Sequence, residues 1–147
     1  MGLFGNLGGK SPLEKDFNIH EAVSGVLLSV VASDGDISDE EVDAFNFVVN
    51  RHAIFSSQAP HDFRKMIDAQ FSILRKNGWE TLAEKAASHV PPNLSGTVFA
   101  LAVDFVLADG QVESAEEQLI ESLRRKLGID EDDAKSVIQV LALKNGV

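Results

Sequence analysis

The 147-residue sequence predicts an all-α protein: a single-domain helical bundle of about seven helices with an internal pseudo-twofold helix-turn-helix repeat. Three observations carry that expectation. Apolar residues recur at three- and four-residue spacing in segment after segment, and no stretch alternates as a strand does. Pro60, Asn77-Gly78, Pro91-Pro92 and Gly128 punctuate those segments. One pattern also occurs twice, as Asp34-Gly35-Asp36-Ile37-Ser38-Asp39-Glu40-Glu41 and as Asp109-Gly110-Gln111-Val112-Glu113-Ser114-Ala115-Glu116, with a constant offset of 75 residues.

Each element follows from its residues. Residues 1–12 hold Gly2, Gly5, Gly8 and Gly9 among Leu3, Phe4 and Leu7, too much glycine for a helix, and are expected as a flexible arm ahead of a helical domain over 13–147. Asn6 stands where a myristoylation signal needs Ser or Thr, and no signal-peptide pattern is present. From about Ile19 to Ser33, Ala22, Val23, Val26, Leu27, Val30 and Val31 recur with small residues between them, as in a helix surrounded by others. Ser38 then suits an N-cap, with Glu41 completing a capping box, and a helix burying Phe45, Val48 and Val49 runs to about His52. Pro60 opens a helix with Phe63, Met66, Ile67, Phe71 and Leu74 on one face. A short helix with Trp79, Leu82, Ala83 and Ala86 follows. The second half of the repeat runs over about 94–127, matching 19–52, with an apolar helix to Ala108 and an amphipathic one from Ser114 to Leu127. Gly128 stops that helix, and a last one from Asp130 is expected to bury Ala134, Val137, Ile138 and Leu141.

The charge balance excludes some functions. The formal charge is −10, with six acids and no base in residues 34–43, and ten acids against Arg124, Arg125 and Lys126 in residues 104–133. Such a surface repels phosphate backbones, so nucleic acid is not an expected partner; cations or basic protein surfaces are. There is no Cys, and His20, His52, His61 and His89 show no metal-ligand pairing. The longest apolar runs fall short of the ~20 residues a bilayer span needs. No Ser-His, Cys-His or phosphate-cradling pattern supports an enzyme.

The two acidic turns admit two readings. Glycine C-caps, a capping box and charges at a helix N-terminus account for much of each turn. Capping does not require Asp34 or Asp109, which follow a helix end where partial negative charge disfavours a carboxylate. A bound cation reverses that penalty, and Asp34, Asp36, Glu41, Asp109 and Glu116, with helix-end carbonyls, are hard oxygen ligands suited to Ca²⁺ or Mg²⁺ rather than Zn²⁺. The spacing matches the second half of an EF-hand loop, whose first half is missing here. If the turns converge, two carboxylates ~5 Å apart repel by roughly 3 kcal/mol at an effective dielectric of ~20. One residue separates the readings in the second copy: capping pairs Ser114 with Glu117, whereas the repeat selects Glu116. Asp104, alone on an apolar helix, is expected to bond backbone or a lysine.

On these residues, Ala32-Ser33-Asp34-Gly35-Asp36-Ile37 with Glu41 and Leu107-Ala108-Asp109-Gly110-Gln111-Val112 with Glu116, the chain resembles the TerB-like tellurite-resistance family of small all-helical bacterial domains. The resemblance implies a pseudo-twofold bundle, a cytoplasmic location, a metal-chelating acidic patch and a place in tellurite resistance and stress response beside membrane-associated or other proteins. It implies no enzymatic activity. Gln111, where the first copy has Asp36, removes an acid from the second turn. A helical interaction scaffold, its acids serving only capping and solubility, is the alternative.

Overall fold

In a computed structural model of the chain, the described residues are 13–33, 37–56, 58–108 and 110–147, with the side chains at 40, 41, 44 and 48 outside that set. The expected arm, residues 1–12, lies outside it too. All regular structure among the described residues is helical: α1 (Ile19–Ala32), α2 (Asp39–Arg51), α3 (Pro60–Asn77), α4 (Trp79–Ser88), α5 (Ser95–Leu107), α6 (Ser114–Lys126) and α7 (Glu131–Lys144). Single 3₁₀ turns at Ala53–Phe55 and Pro92–Leu94 lead into α3 and α5.

α1 is the centre. Asn18 caps it, accepting from the Glu21 amide at 2.9 Å while its own amide donates to Glu21 Oε1 at 3.0 Å, so two orphan donors are satisfied reciprocally. Every residue from Ala22 to Val30 is buried, as is Ala32. The helix packs most extensively on α4, then on α5, and also touches α2 and α3. Close approach to α4 depends on Gly25, where an added Cβ would lie 2.8 Å from the Ala86 Cβ. The serines that interrupt its apolar pattern are satisfied: Ser29 donates to the Gly25 carbonyl, and Ser24 donates to the buried Gln70 of α3. Gln70 Nε2 in turn donates to the Glu21 carbonyl at 2.6 Å, so no bare polar group is left in that part of the core.

The other helices bury narrower stripes. Pro60 stands in the first turn of α3, and Gly78, at φ +87°, ends that helix. Its inward stripe is Phe63, Met66, Ile67, Gln70 and Ile73; Phe71 and Leu74, expected on that face, are only half-buried. The face turns by about one position because Gln70 points inward to α1, a role its polarity conceals in the sequence. α6 ends in a Schellman motif, with Gly128 at φ +71°, its amide on Arg125 O and the Ile129 amide on Arg124 O. α7 buries only Ala134, with Val137 and Leu141 half-covered, whereas Ile138, expected inside, is 37% exposed. It lies at the mouth of a groove that nothing among the described residues fills.

Helix boundaries keep the 75-residue offset. α1 ends at Ala32 and α5 at Leu107; α2 spans Asp39–Arg51 and α6 spans Ser114–Lys126.

Candidate functional site

The turns joining α1 to α2 and α5 to α6 are the candidate site. Asp34, Asp36 and Asp109 lie outside the described residues, and so does the side chain of Glu41. The residues flanking them in sequence are described. At the end of α1 the Val30 carbonyl accepts from both the Ser33 amide, at 3.3 Å, and the Ser33 hydroxyl, at 2.8 Å. At the end of α5 the Phe105 and Leu107 carbonyls accept from the Ala108 and Gly110 amides, with Gly110 at φ +79°. Three of the helix-end carbonyls counted as free oxygen ligands in the sequence, those of Val30, Phe105 and Leu107, are therefore engaged in closing their own helices.

Glu116 is the described member of the expected ligand set. It is buried at 8% exposure, and its Oε1 accepts from the Glu113 amide at 2.9 Å. The N-cap of α6 is thus Glu113, with Glu116 at the third helical position, and not Ser114 with Glu117. This corrects the expected capping pair and removes the distinction drawn from it, since the repeat and the cap select the same glutamate. Two physical reasons decide the register: Ser114 already has helical backbone, and a glutamate three residues after Glu113 is placed to reach back to its amide. Among the described residues no group of three His, Asp or Glu side chains is placed to hold a metal ion.

Phe45 of α2 packs against Phe105 in the last turn of α5, ring centroids 6.3 Å apart, so one side chain from the middle of α2 reaches the helix end before the second turn. Asp104, the residue before Phe105 on α5, accepts from Lys144 Nζ at 3.1 Å and from Asn145 Nδ2 at 2.7 Å. Its partner is the lysine expected for a lone acid on an apolar helix, and the pairing ties α5 to the end of α7. Three histidines have local roles: His20 Nε2 donates to the Ile54 carbonyl at 2.9 Å, His52 Nδ1 accepts from the Ile54 amide, and His89 Nδ1 donates to the Lys85 carbonyl.

Beside the second turn, α5, α6 and α7 enclose an apolar groove of about 330 Å³ lined by Val103, Val106, Leu107, Val112, Ile120 and Ile138, with Glu117 at its rim. Sequence periodicity missed it by assigning Ile138 to the core. The signal that points to it is Val112, a β-branched residue in a polar turn.

Taken together, these are the features of a small all-helical domain in which two apolar helices each run through an acidic turn into an amphipathic partner. The sequence profile of a family described as tellurite resistance protein TerB matches residues 20–139, and the chain belongs to that family. Comparison with curated proteins and with solved structures found no match. Among the described residues no single helix is long and apolar enough to cross a membrane.

Proposed function

We propose that this TerB domain is a non-enzymatic, cytoplasmic component of a tellurite-resistance or stress response, and that its acidic turns bind a divalent cation, Ca²⁺ or Mg²⁺ in preference to Zn²⁺. The observation that supports this reading is that Asp34 and Asp109 follow the last residues of α1 and α5 in sequence, each by two positions, at the same offset as those helix ends. A carboxylate there adds to the partial negative charge of the helix terminus, and a cation offsets both. The Phe45–Phe105 contact supports a shared site, because it draws α2 and the end of α5 together. Asp36, Glu41 and Glu116 would complete the donor set, Glu116 while also capping α6. With the Val30, Phe105 and Leu107 carbonyls engaged, the carboxylates supply most of the binding.

Isothermal titration of chelator-treated protein with Ca²⁺, Mg²⁺ and Zn²⁺, read beside thermal melting, tests this. At a hundredfold excess over Kd, binding stabilises the fold by about 2.7 kcal/mol. For a chain of this size that raises Tm by roughly 5–10 °C. The combined Asp34→Asn and Asp109→Asn variant should lose the shift. No heat and no shift at millimolar metal would leave the second reading, an interaction scaffold, which the capping role of Glu116 and the open groove beside it favour.

A further inference from the structure

The apolar groove between α5, α6 and α7 is independent of any cation in the turns. Val106 and Leu107 of α5, Ile120 of α6 and Ile138 of α7 line it, together with Val112 of the turn before α6. Val112 is 45% exposed and Ile138 37%, so two branched apolar side chains face water across a concave surface that another apolar group would cover. The single charged side chain lining it is Glu117. No cationic group among the described residues pairs with that carboxylate. Two of the three bases that follow it on α6, Arg124 and Arg125, bond Glu121 instead.

We infer that this groove docks a basic amphipathic helix of a partner protein. Apolar side chains at i, i+3, i+4 and i+7 of that helix enter the groove, and a lysine or arginine beside them meets Glu117. Charge selects this occupant over the others. A second copy would bring one acidic surface against another, the chain carrying −10, and a membrane of anionic lipid is repelled for the same reason. A small ligand would find one polar group to orient it, fewer than small-molecule sites usually offer.

The test uses the full chain with chelator present, so that metal in the turns is not a variable. The probe is a synthetic Leu/Lys peptide with Leu at i, i+3, i+4 and i+7, compared by fluorescence anisotropy with a scrambled peptide of the same composition. Saturable binding of the patterned peptide, weaker as salt rises, is expected. Ile138→Asp and Val112→Asp should each weaken it on the order of tenfold or more, Glu117→Gln should flatten the salt dependence, and Leu143→Asp, at an exposed apolar site outside the groove, should leave it unchanged. Circular dichroism confirms that each variant is folded; Val112 lies in a turn, so its variant serves if Ile138→Asp unfolds. Equal binding of the scrambled peptide, or full affinity in both apolar variants, overturns the inference. So does sedimentation of the protein with anionic vesicles that the same two variants abolish, or a concentration-dependent dimer that they dissociate.

Discussion

The two copies of the sequence pattern match at three of four helix boundaries and differ in what covers them. α1 is enclosed by α2, α3, α4 and α5, and at Gly25 has no room for a methyl group. The aligned position in α5 is Ala100, half-exposed. In the first turn Ile37 packs against the core; its counterpart Val112 stands 45% exposed at the mouth of a groove. The same pattern therefore builds an interior helix in one half and a partly open surface in the other. The inserted helices α3 and α4 make the difference, because they cover α1 and leave the far side of α5 to α6 and the loosely seated α7. A repeat fixes where helices start and stop, while burial depends on what else packs there.

The largest effect that sharpens this contrast is at the aligned pair Gly25 and Ala100. Gly25→Val places its side chain against Ala86 and should destabilise by about 2–3 kcal/mol, after a small gain from removing a mid-helix glycine. Thermal melting should show a fall of roughly 5–10 °C. Ala100→Val, on the less covered helix, should cost only about 0.5 kcal/mol from helix propensity. Equal losses would mean that α5 is as tightly enclosed as α1 and that the contrast is false.

The fold was legible because apolar spacing and punctuation agreed at every level, from the Pro60 start to the Gly128 stop. Periodicity gave each helix but misplaced faces wherever a polar residue points inward or an apolar one points out. Gln70 is buried because Ser24 and the Glu21 carbonyl satisfy it, and nothing in α3 alone announces those partners. Ile138 is exposed because α7 leans on α5 through Ala134, Val137 and Leu141 without closing the groove. The candidate site reads in the sequence as two acidic turns and not as one set of ligands. Capping and metal binding use the same residue types at the same spacing, and Glu116 at the third position of α6 satisfies both patterns at once.

A smaller effect tests how α7 is held. Asp104 accepts two bonds from Lys144 and one from Asn145, at the C-terminal end of α7, where the apolar Leu141 is only half-buried. Lys144 is largely exposed, so the pair is screened, and Asp104→Ala should cost about 1 kcal/mol. Hydrogen exchange should localise the loss, with amides of α7 exchanging faster and those of α1 unchanged. Uniform acceleration across both helices would show α7 to be as integral to the core as α1.

The smallest effect lies on the outer face of α6, where the fold gains a pH dependence without burial. Glu121 accepts from Arg124 at 2.8 and 3.0 Å and from Arg125 at 3.1 Å. The bonds from Arg124, reinforced by Arg125, hold its carboxyl at about 2, below the ordinary 4.5. The unfolded chain therefore binds a proton at this residue before the folded chain does, and stability contributed by the pair rises with pH across that interval. It is fully present above about 4.5 and is lost as pH falls through about 2. Glu121→Gln should accordingly lower Tm slightly near neutrality, with the gap from the parent shrinking toward zero in acid and in high salt, as a solvent-exposed pair requires. A gap that persisted at pH 2, or in molar salt, would mean that Glu121 stabilises α6 by packing and not by charge, and the Arg124 contact to the Ile129 carbonyl would then be the more important anchor of that helix end.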